Sequence, residues 1–169
     1  MMSKLAKLHI NGSEYELPIV EGSEQETAID ISNLRSQSGI ITLDKGFKNT
    51  GSTKSAITFL NGEEGILRYR GYSIEDLSEK SSFLEVSYLL IYGELPSSNE
   101  LANFSNEIRS HTLVHEDVKS ILDGFPSRAH PMGVLSSLVS SLTAFYPKSL
   151  DPNRSIEEIN GTIIRLIAK

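Results

Sequence analysis

The chain has 169 residues, a formal net charge of −6 and no cysteine. The acidic excess, with no lysine or arginine cluster, excludes nucleic-acid binding through a basic face, and the lack of cysteine excludes disulfides, thiolate nucleophiles and cysteine metal sites. The first ten residues hold no apolar stretch long enough for a signal peptide, and the longest uncharged stretch is too short and too serine-rich for a membrane span, so we expect a cytoplasmic protein with no membrane partner.

Two β-hairpins are predicted in the N-terminal part of the chain. In residues 7–19, apolar and polar side chains alternate on both sides of Asn11-Gly12, a pair that favours a two-residue hairpin turn. Residues 57–60 and 66–69 are two further short apolar runs, separated by a polar turn that contains glycine. Both patterns place antiparallel strands ahead of the helices.

Three segments between these hairpins carry weaker patterns. Residues 27–34 suit a short helical turn, and residues 40–43 form an apolar run that suits a strand. Residues 44–54 combine two glycines with small polar side chains, which is typical of a loop.

Helices are predicted from Gly71 onwards, where the apolar period changes from two residues to about 3.6. The sequence therefore divides into an N-terminal β-rich region, residues 1–70, and the first helices of a larger helical domain, residues 71–169. The predicted fold class is mainly α, preceded by a small β region with hairpins. Ser73 is placed to cap a first short helix, and three later starts show the capping-box spacing of serine and glutamate. These are Ser82 with Glu85, Ser97 with Glu100, and Ser155 with Glu158.

The stretch 130–146 is predicted to be an uncharged helix at the centre of the fold. Pro131 suits the first helical position, where its missing N–H costs nothing, and His130 is placed to cap the helix. Small residues recur every four positions and form a ridge on which another helix can pack closely. Because no face carries charge, this helix should be buried by the rest of the chain or by a partner. Its apolar stripe is Met132, Leu135, Leu138, Val139, Leu142 and Phe145, and its ridge is Gly133, Ser137 and Ser141.

The last predicted helix begins after Ser155 and reaches Lys169 without a glycine, a proline or a polar loop. Helices are commonly ended by such residues. The pattern favours a chain that continues, so we expect these 169 residues to be an N-terminal fragment that ends within a domain.

Four groups of residues together resemble a known family. They are residues 44–47 with 55–59, residues 61–67 with 70–74, residues 83–86 with 92–96, and residues 111–116 with 130–132 and 144–146. In order and spacing they are similar to the N-terminal part of citrate synthases of the bacterial, hexameric type. The resemblance covers essentially the whole chain.

The resemblance implies the multi-helical large domain of that family, present in part. It also implies a reaction without a cofactor, in which acetyl-CoA condenses with oxaloacetate and the product is hydrolysed to citrate and CoA in the first step of the tricarboxylic acid cycle. In the family, two histidines and an aspartate carry out this chemistry, and they lie beyond the position that matches Lys169. We therefore assign no catalytic residue in this chain, and we expect the fragment alone to be inactive.

The resemblance further implies two sites of interaction. The helix matching residues 131–146 lies in the subunit interface of the family, which predicts a homodimer or a hexamer. Some hexameric enzymes also bind NADH as an allosteric inhibitor, and this chain departs from them at Ser110, where they have arginine, and at Leu113, where they have methionine. The residues here that match the NADH site are His111, Thr112, Tyr146, Arg165 and Lys169.

Two other functions stay open from the sequence. One is a 2-methylcitrate synthase that uses propionyl-CoA, and the other is a helical scaffold or regulatory module without chemistry. No metal site is expected, because His111 and His115 have the spacing of two ligands on one helix face but lack a third ligand.

Overall fold

The structure is a computed structural model that describes residues 4–169. The chain divides into two units, one ending at Ser55 and the other spanning Ala56–Lys169. The boundary expected from the sequence, between residues 70 and 71, falls inside the second unit, because that unit also includes the second hairpin.

The first unit is built on a three-stranded antiparallel sheet. Strands β1 (Leu5–Ile10), β2 (Ser13–Glu21) and β3 (Thr27–Ile29) pair in that order, and helix α1 (Leu34–Ser38) follows them. Asn11 and Gly12 form the turn between β1 and β2 with φ angles of 51° and 79°. A type I′ turn requires this left-handed backbone at both central residues, which confirms the first predicted hairpin.

Two weaker predictions in the first unit are wrong. The segment expected to form a helical turn instead begins with β3, which pairs with the end of β2, and the helix starts only at Leu34. Residues 40–43 form no strand, and Ile41 and Leu43 are 67% and 86% exposed. An apolar run forms a stable strand only beside a partner strand, and this run has none among residues 4–169.

The predicted loop that follows is confirmed and is organised by one carboxylate. Asp44 accepts a hydrogen bond from the main-chain N–H of Asn49 at 2.8 Å. This bond and others from Thr50 and the main chain hold the pKa of Asp44 below its usual range.

The second unit begins with the second predicted hairpin and continues with helices. Strands β4 (Thr58–Asn61) and β5 (Ile66–Tyr69) are antiparallel, and the short β6 (Tyr72–Ser73) pairs with β5. The helices are α2 (Ile74–Lys80), α3 (Phe83–Tyr92), α4 (Ser98–Ser110), α5 (Glu116–Asp123), α6 (Pro131–Phe145) and α7 (Ile156–Ala168), with a 3₁₀ helix at Pro147–Leu150. No helix within residues 4–169 is both long enough and apolar enough to cross a lipid bilayer.

All the predicted serine caps form. Ser73 accepts from the N–H of Asp76, and complete capping boxes begin α3, α4 and α7. In each box the serine hydroxyl and the glutamate carboxylate satisfy N–H groups that the helix itself leaves without a partner.

Helices α3, α4 and α7 share the core of this unit. Phe104 and Ile108 of α4 are buried against Ile164 of α7, with Leu84 and Tyr88 of α3 packed on them. The Tyr88 and Phe104 rings meet edge to face with their centroids 5.5 Å apart, a favoured geometry for aromatic pairs. This core fixes α7 against α4.

Helix α6 forms where it was predicted, but it is not buried in this chain. None of its residues is buried, and Met132, Leu135 and Val139 are 62%, 50% and 46% exposed. Among the described helices, α5 and the 3₁₀ helix are its main neighbours, and they cover only the side that carries Leu138 and Leu142. The remaining apolar side is open.

Candidate functional site

The five residues predicted to bind NADH lie at the ends of three helices. His111 and Thr112 follow α4, and Tyr146 follows α6. Arg165 lies in the last turn of α7, and Lys169 is its C-cap. The packing of α7 on α4 therefore brings residues together that are more than fifty positions apart in the sequence.

Two cationic side chains lie over the ring of Tyr146. Arg165 Cζ is 5.0 Å from the ring centroid, and Lys169 Nζ is 5.9 Å from it. Both distances are within the range in which a cation is attracted to an aromatic face. Arg165 also donates to the hydroxyl of Thr162 at 3.1 Å, so its guanidinium is held from two sides.

Lys169 connects the end of α7 to the segment after α4. Its ammonium donates to the carbonyl oxygen of His111 at 2.9 Å and to that of Leu113. Carbonyls at and just beyond the C-terminus of a helix lack partners within the helix and carry partial negative charge, so they attract an ammonium group.

The His111 ring is oriented by the last turn of α4. Its Nδ1 is 2.8 Å from the carbonyl oxygen of Glu107 and 2.9 Å from the hydroxyl of Ser110. Its Nε2 has no hydrogen-bond partner within residues 4–169. The Thr112 hydroxyl donates to the carbonyl oxygen of Arg109 at 3.0 Å.

The charge at this site is positive. Neither Arg165 nor Lys169 forms an ion pair with a carboxylate in the described part of the chain. An aromatic face, a guanidinium and an ammonium together suit a planar, anionic ligand such as a nucleotide, with the cations on phosphate oxygens. We call Tyr146, Arg165, Lys169 and His111 the cationic site.

The two departures from the NADH-sensitive pattern have plain structural roles. The Ser110 hydroxyl donates to the carbonyl oxygen of Glu107 at 2.7 Å, so it adds no positive charge where an arginine would. The Leu113 side chain is 86% exposed, and its main-chain carbonyl is an acceptor for Lys169. Sequence reasoning missed this acceptor, because no side-chain pattern marks a carbonyl that a distant lysine will reach.

The other histidines singled out by the sequence are helix caps. His115 accepts at Nδ1 from the N–H of Asp117 at 3.2 Å, and its ring stacks on Phe145 at 4.9 Å. His130 accepts at Nδ1 from the N–H of Met132 at 3.2 Å. Within residues 4–169, no group of three or more histidine and acidic side chains is placed to hold a metal ion.

The first unit contains a shallow groove between its hairpin and α1. Leu5, Glu14, Tyr15, Glu16 and Leu17 are among the residues that line it. The cationic site, where two cations lie over an aromatic ring, is the better candidate for an anionic ligand.

A family model matches most of the chain. The model described as the C-terminal domain of citrate synthase covers residues 46–169, which include both the second hairpin and every helix of the second unit.

Curated relatives share close to half of the residues. Citrate synthase 1 of Mycobacterium tuberculosis is 49% identical over 164 residues, which are 97% of this chain and 38% of that protein. The citrate synthase of Corynebacterium glutamicum is 48% identical over 164 residues, which are 97% of this chain and 37% of that protein. The chain thus spans less than two-fifths of the length of these relatives.

Solved structures share the fold. The citrate synthase from Thermotoga maritima MSB8 superposes with a TM-score of 0.61 at 29% identity, over 75% of this chain and 32% of that one. The citrate synthase from the archaeon Thermoplasma acidophilum, solved as a ternary complex with carboxymethyl coenzyme A and oxaloacetate, gives a TM-score of 0.65 at 22% identity, over 75% of this chain and 33% of that one. The second likeness shows the fold alone, and both support the mainly helical architecture.

Proposed function

Because this chain belongs to the citrate synthase family, we propose that it serves in an enzyme that condenses acetyl-CoA with oxaloacetate and releases citrate and CoA. One observation carries the proposal: 49% identity to a curated citrate synthase over 97% of the chain. The chain supplies the hairpin and the first helices of the framework on which such an enzyme is built.

The chemistry requires a base, an electrophile and water. A base removes a proton from the acetyl methyl group, and the enol carbon then forms a bond to the carbonyl carbon of oxaloacetate. Water next cleaves the thioester bond, which releases CoA and leaves citrate. We assign none of these steps to a residue of this chain, since the resemblance places the catalytic histidines and aspartate beyond the position of Lys169.

A comparison of two proteins tests the proposal. One is the 169-residue chain, and the other is the product of the longest open reading frame that contains it. Citrate is measured by mass spectrometry and free CoA thiol by a colorimetric reagent, with acetyl-CoA and oxaloacetate supplied together and singly. We expect citrate only from the longer protein and only with both substrates. If the longer protein forms no citrate, the proposed citrate synthase activity is refuted, and a helical scaffold or regulatory module is favoured.

The same assay tests which acyl-CoA substrate the enzyme prefers. Propionyl-CoA in place of acetyl-CoA would yield 2-methylcitrate. Both curated relatives are named citrate synthases, which favours acetyl-CoA. A higher kcat/KM with propionyl-CoA would instead identify a 2-methylcitrate synthase.

We also propose that α6 packs against a second copy of the chain in a homodimer or a hexamer. The exposed Met132, Leu135 and Val139 support this, since contiguous apolar surface of this kind usually marks a protein interface. Gly133 and Ser137 would let another helix approach closely.

Charge placed on α6 tests this interface. The double variant Leu135→Asp, Val139→Asp should sediment as a smaller species than the wild type in analytical ultracentrifugation. The control Asn103→Asp, Asn106→Asp adds the same charge to exposed positions of α4 and should not change the assembly. Equal assembly of the wild type and the α6 variant would exclude α6 as the interface.

Finally, we propose that the cationic site binds NADH as a regulator. The convergence of Arg165 and Lys169 on Tyr146 supports this, whereas Ser110 removes a charge that the NADH-sensitive enzymes have. Isothermal titration of the longer protein with NADH should show binding that Arg165→Gln weakens by about 1.5–3 kcal/mol, the value of a charge-assisted hydrogen bond. Arg128→Gln, on an exposed loop, is the matched control. Absence of heat at millimolar NADH would end this proposal.

A further inference from the structure

The sequence contains three Asn-Gly pairs, at Asn11, Asn61 and Asn160. Asparagine before glycine is chemically labile, because glycine has no side chain to hinder attack of its main-chain nitrogen on the preceding amide. The structure places the three pairs in a turn, at a strand end and within a helix. The same dipeptide thus occurs in three different local structures of one molecule.

The pair at Asn11 is the most accessible of the three. Both Asn11 and Gly12 are exposed at the tip of the β1–β2 hairpin, and no atom lies within 4 Å of the position that a Gly12 Cβ would occupy. Within residues 4–169, neither the Asn11 amide nor the Gly12 N–H has a hydrogen-bond partner. No hydrogen bond within the described residues therefore restrains either of the two reacting groups.

The pair at Asn160 is protected by its helix. Asn160 and Gly161 lie in the middle of α7. In an α-helix the main-chain N–H is directed at the carbonyl four residues earlier, and the helical backbone keeps it away from the preceding side chain. Reaction at Asn160 therefore requires α7 to open.

The pair at Asn61 is restrained by its side chain. Asn61 ends β4, and its Oδ1 accepts from the N–H groups of Glu63 and Glu64, both at 3.1 Å. These two bonds fix the amide, and Asn61 is also half-buried. The amide must leave both partners before it can rotate toward the Gly62 nitrogen.

From these differences we infer that Asn11 is a site of spontaneous deamidation and isoaspartate formation in the folded protein. The Gly12 nitrogen loses its proton and attacks Asn11 Cγ, a C–N bond forms, and the side-chain nitrogen leaves as ammonia. Water then opens the cyclic succinimide at one of its two carbonyls, which gives aspartate or isoaspartate. The step consumes one water, releases one ammonia and needs no oxidant or reductant.

The isoaspartate product alters the hairpin. Its main chain runs through the former side-chain carbon, so the two-residue turn gains one backbone atom. The turn sets the register of β1 against β2, in which Ile10 faces Ser13, and a longer turn no longer fits that register. A new carboxylate also appears at the tip.

Peptide mapping of the intact protein tests the inference. The protein is incubated at neutral to mildly alkaline pH and digested, and the deamidated fraction at each pair is measured by mass spectrometry. We expect Asn11 to react at least about tenfold faster than Asn160, since local opening of α7 limits the latter, and several-fold faster than Asn61. Isoaspartate is detected separately by enzymatic carboxyl methylation.

Two variants and one condition sharpen the test. Asn11→Gly keeps the left-handed turn, removes the reactive amide and should lose the signal at this position. Asn11→Asp should still form isoaspartate but release no ammonia. In urea the three pairs should react at similar rates, because the local structures are gone. The inference would be overturned if Asn61 or Asn160 deamidated as fast as Asn11 in the folded protein. It would also be overturned if Asn11 did not deamidate in the folded protein although it did so in urea.

Discussion

Arg70 joins the second hairpin to helix α3 through its guanidinium. It donates to the carbonyl oxygen of Leu90 at 2.9 Å and to that of Ala56 at 3.4 Å. Leu90 lies in the last turn of α3, where carbonyls have no partner within the helix. Arg70 makes these contacts from a backbone with a φ angle of 51°, which is unfavourable for any residue with a Cβ.

Replacing Arg70 separates the side-chain contribution from the backbone cost. Arg70→Ala should lower the free energy of unfolding by about 1.5–3 kcal/mol, because it removes charge-assisted hydrogen bonds and keeps the strained φ. Arg70→Gly loses the same bonds but relieves the backbone, so it should be more stable than the alanine variant by about 1 kcal/mol. Urea unfolding followed by circular dichroism measures both. Equal stability of the alanine variant and the wild type would show that the guanidinium contributes nothing.

The capping-box glutamates give a pH dependence with a definite sign. Hydrogen bonds from the hydroxyl and the N–H of the capping serine hold the pKa of Glu85 and of Glu100 below the ordinary value of 4.5. A carboxyl whose pKa is lower in the folded state stabilises the fold at pH values above its unfolded pKa, and this stabilisation is lost as the pH falls through the folded pKa.

The double variant Glu85→Gln, Glu100→Gln should therefore be less stable than the wild type at pH 7. The two proteins should approach each other in stability below pH 4.5, where the wild-type carboxyls become protonated. Urea midpoints at a series of pH values measure the difference. A gap that stays constant across the series would contradict the assigned role of the carboxylates.

At the scale of helices and strands, most helix starts and the hairpin turns were predictable from residues that are neighbours in the sequence. The serine–glutamate pairs marked three helix starts, and Asn11-Gly12 marked the first turn, because these signals depend on neighbouring residues alone. β3 was missed, since a three-residue strand is stabilised by pairing with β2 and has no periodicity of its own. Residues 40–43 were wrongly predicted as a strand because they are apolar, but among residues 4–169 they have no partner strand to pair with.

Histidine caps at α5 and α6 are a less common choice than serine or asparagine. His130 was predicted as a cap from its position before Pro131, and the structure confirms it. Its Nδ1 accepts the N–H of Met132, a group with no partner inside the helix.

His130→Asn should retain the cap, because the asparagine oxygen also accepts from the first turn. His130→Ala should cost about 0.5–2 kcal/mol of stability, the usual range for the loss of an N-cap. The midpoints of urea unfolding of the two variants and the wild type show which substitution retains stability. If both variants lose equal stability, His130 acts through a contact other than the cap.

At the scale of the whole molecule, residues 39–57 link the sheet of the first unit to the hairpin of the second without helix or strand. Three exposed lysines, Lys45, Lys48 and Lys54, lie in this segment. The first two lie within the turn that the Asp44 carboxylate organises, and Lys54 lies outside it. Backbone without secondary structure at the surface is the preferred substrate of proteases.

Brief trypsin treatment should therefore cut first after Lys54 and then after Lys45 or Lys48, as read by mass spectrometry of the fragments. Lysines within helices, such as Lys80 and Lys119, should be cut later. Primary cleavage within a helix would show that the linking segment is better protected than its exposure indicates.

The residues of the cationic site could not be grouped from sequence patterns alone. Tyr146, Arg165 and His111 were named together because the chain resembles a family, since no spacing rule connects positions so far apart. The packing of α4 on α7 through Phe104, Ile108 and Ile164 brings the end of α4 beside the end of α7, and the 3₁₀ helix that follows Tyr146 also packs on α7. The carbonyl contacts of Lys169 follow from the same packing.

The ammonium group of Lys169 has three protons, and the carbonyls of His111 and Leu113 engage two of them. The third has no hydrogen-bond acceptor within residues 4–169. The two bonds tie the end of α7 to the segment after α4 and keep the ammonium group near the tyrosine ring. The position of this positive charge therefore depends on the packing of α7 against α4 as well as on the lysine side chain itself.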